Sequence, residues 1–314
     1  MMMRRTNMIF PLFLLVLAAM ACGLPLIGTT DQTTPVPAPA TSAPAVSPTP
    51  SASLDIPALT EAQLKNFTYF APQYQKTVQL TDGKYQAGSG ADILLAVLQP
   101  EMAFGDLNGD GAQDAAVLLA ENGGGSGVFV SLLAMLNQGG LPVQKAAAFI
   151  DDRPKINSLT ITDGRIVLEA LIHSATDPMV SPTFAVTETY SLVGERLALT
   201  RFSSQTPGGL ERAVAISSPI DGSQVSGQVH LVGTVTVSPF ENNLVYRILD
   251  EQGNQLAEGP FNVESDGVGG PGTFDNSIDL SAFSSGSRLR ISLSDLSAKD
   301  GSLLMMDSVK LMIK

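Results

Sequence analysis

The sequence predicts a mainly β protein in which a first domain, α+β but mostly antiparallel β, precedes an antiparallel β-sandwich. Three observations lead to this fold class. The 314 residues suffice for two domains of ordinary size. Short segments of alternating apolar and polar residues recur along the chain, as in half-buried strands. The 29 glycines and 20 prolines, with only 6% aromatic residues, indicate frequent turns between short strands.

The chain begins with a basic segment, an apolar segment and a cysteine. Arg4 and Arg5 precede residues 8–20, which are almost entirely apolar, and small residues lead to Cys22. This series is typical of a secretory signal. Because it ends on a cysteine, it resembles a bacterial lipoprotein signal, which implies a lipid such as palmitate on Cys22. We therefore predict a lipoprotein signal peptide at residues 1–22. An ordinary signal peptide is one alternative. A retained anchor is another, although the apolar run is shorter than the ~20 residues that a span needs.

Residues 23–54 consist mainly of Pro, Ala, Ser and Thr and carry almost no charge. Such a composition cannot bury enough apolar surface to fold, so we predict a disordered tether. Signal, lipid and tether together predict an extracytoplasmic protein anchored to the outer face of a bacterial cell membrane. The net charge of −12 argues against nucleic acid as a partner, because phosphate backbones repel an acidic chain.

Residues 55–203 are predicted to form the first domain. A short helix is expected in "LTEAQLKNF", where Thr60 is a plausible N-cap and Gln63 follows three residues later, as in a capping box. Asp82-Gly83 and Asp163-Gly164 are each predicted to be the turn of a β-hairpin. Around the second turn, "RIVLEALIH" places alternate apolar residues on one face of a strand.

Residues 204–212 are predicted to be a linker, and residues 213–314 a second domain that folds on its own. Apolar and polar residues alternate clearly along its predicted strands. In "RLRISLSD", Leu289, Ile291 and Leu293 are expected to face the core, with Arg288, Arg290 and Ser292 facing outward.

The order of segments in residues 213–314 resembles the immunoglobulin-like Gmad2 domain. The segments are "ISSPIDGSQVSGQVHLVGTV", "FENNLVYRILDEQGNQLAEG", "GTFDNSIDL" and "SAKDGSLLMMDSVKLMI". The resemblance implies an immunoglobulin-like β-sandwich in an extracytoplasmic place, without catalytic residues. More loosely, residues 55–203 resemble a domain of other bacterial lipoproteins through "GDLNGDGAQDAAVLL", "GGGSGVFV", "DDR" and "DPMVSPT".

A spaced set of oxygen-bearing residues precedes one predicted strand. Asp106, Asn108, Asp110 and Asp114 occupy positions 1, 3, 5 and 9 of a loop, and Ala112 at position 7 offers its carbonyl. Hard oxygen ligands at this spacing are typical of calcium sites. Position 12 is a valine instead of the bidentate glutamate, which excludes an EF-hand. The pattern resembles the calcium loops of FG-GAP repeats, so we predict a structural Ca²⁺ site. An acidic Asp/Asn-Gly turn without metal is the alternative.

The sequence contains no clear catalytic arrangement, and we predict that the protein is not an enzyme. Its two histidines, His173 and His230, fall in different predicted domains, and His230 is expected at the surface. The glycine-rich residues 123–127 are expected to be a turn, and residues 151–153 an ion-paired loop. The 30 acidic residues leave open an alternative, a carboxylate-dependent extracellular hydrolase.

We therefore expect a non-catalytic binding or structural module of the cell envelope. It would be attached to the membrane through the lipid on Cys22. It would present its loops or strand edges to an envelope protein or polysaccharide.

Overall fold

A computed structural model describes residues 56–267 and 269–314 of the chain. These residues belong to one compact unit. The predicted signal peptide, the lipidated Cys22 and the tether at residues 23–54 lie outside the described residues. Within the described ranges, no helix has both the length and the apolar character that a membrane span requires.

The first elements are one short helix and a two-stranded sheet. Helix α1 (Glu61–Lys65) has the predicted capping box, in which the Thr60 side chain accepts the Gln63 N–H and the Gln63 side chain accepts the Thr60 N–H at 2.9 Å. Strands β1 (Thr68–Ala71) and β2 (Lys76–Gln79) pair antiparallel. The capping-box prediction is therefore confirmed.

The turn at Asp82-Gly83 forms, but the predicted hairpin around it is wrong. Both residues have positive φ, 49° and 81°, as a tight hairpin turn requires. Only a single bridge between Thr81 and Lys84 closes this turn. Strand β2 is already paired with β1, and β3 (Lys84–Ala87) instead joins the edge of the next sheet.

A five-stranded antiparallel sheet follows in the order β3-β4-β5-β6-β7. Its further strands are β4 (Leu94–Gly105), β5 (Asp114–Asn122), β6 (Phe129–Gln138) and β7 (Leu141–Asp152). The central strands β5 and β6 are buried along nearly their whole length, because both faces of the sheet are covered. On one face, Leu64 of α1 and Tyr69 and Val78 of the small sheet form a core with inward residues of β4, β5 and β6.

The other face of this sheet packs against a second antiparallel meander. Its strands are β8 (Lys155–Thr162), β9 (Arg165–Ile172), β10 (Phe184–Val193) and β11 (Arg196–Gln205). The Asp163-Gly164 turn joins β8 to β9 in the predicted hairpin. Ile166, Leu168 and Ala170 of β9 are fully buried in the core between the two sheets, as their alternation predicts.

The predicted linker is itself a β-hairpin. Strand β11 continues to Gln205, and β12 (Glu211–Arg212) turns back to pair with it. The Thr206 N–H donates to the Leu210 carbonyl at 2.8 Å across the turn. The connection between the two halves of the chain is therefore held by backbone hydrogen bonds.

The remaining residues form a β-sandwich. Its strands are β13 (Val214–Ser218), β14 (Ser223–Val225), β15 (Gln228–Val235), β16 (Asn243–Leu249), β17 (Gln255–Asn262), β18 (Glu264–Ser265), β19 (Gly272–Asp279), β20 (Arg288–Leu296) and β21 (Leu303–Ile313). One sheet has the order β13-β15-β19-β18, and the other contains β17-β16-β20-β21 with β14 parallel to β21. Inward residues such as Leu231, Phe274 and Ile291 fill the space between them. The predicted mainly β fold class, with a sandwich at the C-terminal end, is confirmed.

Strand β21 joins the two halves. It pairs along its length with β20, and at Arg201↔Asp307 and Phe202↔Met306 it also pairs with β11. The second sheet of the sandwich thus continues into the second meander as one ten-stranded sheet. Met305 lies in the core of the sandwich, while Met306 lies in the core between the first two large sheets.

Because the two halves of the chain share this sheet, the predicted exposure of two residues on β20 is wrong. Arg290 and Ser292 were expected to face outward, but they are 8% and 4% exposed. Residues of the β10–β11 hairpin lie next to this face, and the Ser308 hydroxyl beside Arg290 donates to the Thr200 carbonyl of β11 at 2.8 Å. Alternate residues of β20 point to opposite faces of the sheet, as predicted. The first half of the chain, however, covers the face that was predicted to be exposed.

Candidate functional site

The acidic loop at residues 106–114 connects β4 to β5 and is organised by its own side chains. The Asp106 carboxylate accepts the N–H groups of Asn108, Gly109 and Gly111 at 3.2, 2.7 and 2.9 Å. Burial acts to raise the pKa of Asp106, but these hydrogen bonds hold it below its usual value. Asp110 accepts the Ala112 N–H and the Asn108 side-chain amide, both at 2.8 Å. The loop therefore has the tight turn that its sequence predicts.

Asp114, the last predicted calcium ligand, is buried, whereas Asp106, Asn108 and Asp110 lie at the surface of the loop. It is 0% exposed, and its two oxygens accept the N–H groups of Leu107 and Asn137, each at 2.8 Å. Burial raises the pKa of this carboxyl, and the charges of Asp110 and Asp106 also raise it. Asp114 thus connects the loop to β6, which contains Asn137.

In residues 56–267 and 269–314, no three or more His, Cys, Asp or Glu side chains are grouped so that they could hold a metal ion. Asp106, Asn108 and Asp110 lie at the loop surface, where their oxygens are paired with amides, and the Ala112 N–H is among those amides. Calcium binding by Asp106, Asn108, Asp110, Ala112 and Asp114 stays a prediction.

The other sequence motifs have local partners. Asp152 and Arg153 form an ion pair at 2.8 Å, and Asp152 also accepts the Val128 N–H, so this motif fixes a loop as predicted. In the glycine-rich turn, the Asn122 side chain accepts the Gly124 N–H at 2.8 Å. His230 is exposed and pairs with Asp275 and Ser277.

A cleft of about 890 Å³ lies beside the connection between the two halves. One wall comes from the loop after β9 and from β10 and β11. The other comes from the β11–β12 hairpin and the loop between β20 and β21. Hydroxyl and amide groups line much of it, from Ser174, Thr176, Thr183, Gln205, Ser297 and Ser302.

Two titratable groups of this cleft have unusual surroundings. Glu188 is 6% exposed, and its carboxyl accepts the Tyr190 hydroxyl at 2.9 Å. Burial raises the pKa of Glu188 to about 7, although the bond from Tyr190 acts in the opposite direction. His173 is held by Asp151, whose Oδ2 atom accepts its backbone N–H at 2.6 Å and lies 2.8 Å from Nδ1. The Nε2 atom of His173 is buried and has no hydrogen-bond partner in the described part of the chain.

The remaining carboxylates of the cleft hold its loops in place. Asp177 accepts the Ser174 N–H at 3.1 Å and both the N–H and the hydroxyl of Thr183, at 2.7 and 2.8 Å. These bonds keep the pKa of Asp177 far below its usual value. Asp300 likewise accepts the N–H and the hydroxyl of Ser302. The arrangement can bind a polar partner by hydrogen bonds and can exchange a proton at Glu188.

Glu188 and the Asp151–His173 pair are absent from the sequence-based prediction. A signal for Glu188 is present, because Val186, Glu188 and Tyr190 alternate on the buried face of β10. A glutamate at an inward position of such a strand indicates a buried acid. Asp151 and His173 are 22 residues apart, and only the packing of the two sheets against each other brings them together.

The comparison with known proteins bears on the C-terminal half. No curated protein matches the chain. Residues 213–302 match the Gmad2 family, described as the immunoglobulin-like domain of bacterial spore germination. The match covers less than a third of the chain and ends just before β21, which completes the sheet by pairing with β20. The sandwich that follows the β11–β12 hairpin is therefore a Gmad2 immunoglobulin-like domain.

Proposed function

We propose that the protein is a lipid-anchored, extracytoplasmic lipoprotein of the bacterial cell envelope and that its folded part is a non-catalytic binding or structural module. The basic, apolar and small residues that end at Cys22 support the anchor. The Pro-rich residues 23–54 support a tether that separates the folded part from the membrane. The Gmad2 domain supports a binding or structural role over a catalytic one.

The observation that carries the proposal is the cleft beside the β11–β12 hairpin. Both halves of the chain line it, and they are connected by a continuous sheet and by the hairpin itself. Because Asp177 and Asp300 hold the loops of the cleft by hydrogen bonds, the site needs little ordering when a partner binds, which favours recognition. Its hydroxyl and amide lining suits the hydroxyl-rich surface of a polysaccharide or a polar segment of an envelope protein.

The carboxylates support binding over hydrolysis. Glycoside hydrolysis needs two carboxyl groups that face the scissile bond. In this cleft, Asp177 and Asp300 are engaged with their own loops, while Glu188 is bonded to Tyr190. We therefore retain the binding module as the proposed function.

Membrane attachment is tested by replacing Cys22 with serine in cells of a lipoprotein-processing bacterium. The Cys22→Ser protein should leave the membrane fraction and appear in the soluble fraction, because no lipid can be added. Wild-type protein should stay with the membrane and incorporate a labelled fatty acid. A variant that remains in the membrane at full length would instead show that residues 8–20 are a retained anchor.

Recognition is tested with residues 54–314, which correspond to the compact unit. These residues are mixed with purified peptidoglycan sacculi, with and without their attached glycopolymers, and sedimented. Ala175→Trp narrows the cleft and should reduce the sedimented fraction several-fold. Thr160→Trp, at an exposed position of the edge strand β8, is the matched control and should bind like wild type. Equal binding by the two variants would exclude the cleft, and failure of wild type on both preparations would exclude a polysaccharide of the wall as the partner.

A further inference from the structure

A second, smaller cavity lies between the two halves of the chain and shares only Leu199 with the cleft. Its volume is about 270 Å³. The β10–β11 hairpin forms one side, and the turn after β16 together with β20 and β21 forms the other. Most of its walls are apolar, from Val193, Ala198, Leu199, Leu249, Leu289, Leu311 and Met312.

The polar part of this cavity is unusually basic for an acidic protein. Arg196, Arg288, Arg290 and Lys310 line it, against two acidic residues, Asp250 and Glu251. Arg288 pairs with Glu251 at 3.4 Å, and the two oxygens of Asp250 accept the backbone and side-chain N–H groups of Asn254. Across residues 56–267 and 269–314, Arg196, Arg290 and Lys310 have no acidic side chain within ion-pair distance. Three cations therefore line one cavity without a direct ion pair to any of them among the described residues.

Arg290 is the most buried of the three, with 8% of its surface exposed. Its Nη1 atom donates to the Ser308 hydroxyl at 2.8 Å, whereas its Nη2 atom is buried without a partner among the described residues. Burial lowers the pKa of this guanidinium, and the charges of Arg196 and Arg165 lower it further, although Asp221 and Asp307 act in the opposite direction. Because arginine stays protonated in proteins, a buried guanidinium without a direct ion-pair partner favours an anion beside it.

Arg196 approaches from the opposite wall and is held by close packing. Its guanidinium lies against the backbone of Gly253, where an added Cβ would be 2.7 Å from the guanidinium carbon. Gly253 has φ of +86° in the turn after β16. Glycine suits this backbone conformation, and without a side chain it lets the guanidinium of Arg196 lie directly against the turn.

We propose that this cavity binds a small organic anion, a carboxylate or phosphomonoester with a short apolar body. The anionic group faces the guanidinium groups of Arg290 and Arg196, which can donate charge-assisted hydrogen bonds to it. The apolar body lies against the leucine and valine side chains of the walls. Binding places a negative charge beside Arg196, Arg290 and Lys310 and so offsets the positive charge that they share.

The test is calorimetric titration of residues 54–314 with four probes of matched size or charge. Octanoate and octyl phosphate carry both features, 1-octanol lacks the charge, and inorganic phosphate lacks the apolar body. We expect octanoate, octyl phosphate or both to bind at least ten-fold more tightly than octanol and inorganic phosphate. The stronger of the two amphiphiles identifies the head group.

Variants assign the binding to the cavity. Arg290→Gln and Arg196→Gln should each weaken binding at least ten-fold, whereas Lys155→Gln, at an exposed position of β8, should leave it unchanged. Without ligand, Arg290→Gln should melt no lower than wild type, since it removes an unpaired buried charge. This separates loss of the site from loss of the fold, and Arg196→Gln gives a second variant on the other wall.

Three results would overturn the proposal. The first is the absence of binding by both amphiphiles at 10 mM, and the second is binding that survives Arg290→Gln and Arg196→Gln. The third is equal affinity for octanol or for inorganic phosphate, which would indicate an apolar void or an adventitious ion only.

Discussion

At the scale of single residues, Glu188 shows how a strand position determines an acid's chemistry. Its place between Val186 and Tyr190 on the inward face of β10 removes the carboxyl from water, which disfavours the charged form. The Tyr190 hydroxyl provides one hydrogen bond to it, and Asp151 adds a repulsive negative charge. The pKa of about 7 therefore follows from burial that one hydrogen bond does not offset.

This predicts that Glu188→Gln stabilises the protein at alkaline pH. The pKa of Glu188 is higher in the folded protein, at about 7, than its ordinary value of 4.5, so folding favours the protonated form. That contribution to stability is complete below pH 4.5 and is lost as the pH rises through 7. Glutamine is neutral throughout, and its side-chain oxygen can still accept the Tyr190 hydroxyl. The free energy of unfolding should therefore rise by about 3 kcal/mol at pH 8 and change little at pH 4.

Urea unfolding of wild type and variant between pH 4 and 8 measures this effect. Asp295, whose pKa burial raises to about 6, contributes equally to both proteins. Glu169→Gln, on the exposed face of β9, is the matched control and should leave the pH dependence as in wild type. A Glu188→Gln curve parallel to the wild-type curve would contradict a buried acid that titrates near neutrality.

At the scale of elements, the acidic loop between β4 and β5 divides its aspartates into two roles. Asp114 joins the loop to β6 through buried hydrogen bonds. Asp106 and Asp110 hold the turn at the surface and raise the pKa of Asp114 through their charges. A cation bound by the surface residues would relieve this repulsion and stabilise the start of β5.

Calcium is therefore predicted to raise the thermal stability of residues 54–314. No bidentate glutamate is present at position 12, so the affinity should be modest, about 10⁻⁴–10⁻³ M. With a Kd of ~0.1 mM, ~1 mM calcium adds roughly 1.4 kcal/mol by mass action. Melting is measured in calcium and in chelator for wild type, Asp110→Ala and the control Asp266→Ala, which is exposed in the other half. A wild-type midpoint that calcium does not move would leave the loop as an acidic turn without metal.

Local signals account for the parts of this fold that the sequence predicts. The capping box of Thr60 and Gln63, the Asp163-Gly164 turn and the alternation of β9 each depend on residues close in sequence. Periodicity also identifies the two faces of β20, but not what covers its second face. Residues about a hundred positions away cover Arg290, and the pairing of Asp151 with His173 likewise depends on tertiary contacts. For this reason the basic cavity and the cleft could not be predicted from local pattern.

At the scale of the whole molecule, one strand belongs to two hydrophobic cores. Met305 and Met306 point to opposite sides of β21, one into the sandwich and the other into the core of the first half. Asp307 adds polar contacts to both halves, because it accepts the Arg201 side chain at 3.2 Å and the Ile216 N–H at 2.9 Å. Unfolding either half would therefore expose buried groups of the other.

The folded part is accordingly expected to unfold in one cooperative transition. Met306→Ala should lower the midpoint temperature of that single transition. Removing the Met306 side chain leaves a cavity in the first core, at a cost of about 2–3 kcal/mol. Met179→Ala, at a 60% exposed methionine, is the matched control and should leave the midpoint unchanged.

The fragment of residues 213–314 retains its own core and should still melt cooperatively, but at a lower temperature, since the first half no longer covers Met306 and Arg290. Calorimetry of wild type, Met306→Ala, Met179→Ala and the fragment shows whether the two halves unfold together or separately. Two transitions in wild type, with Met306→Ala lowering only one of them, would show that the shared strand does not couple the two halves.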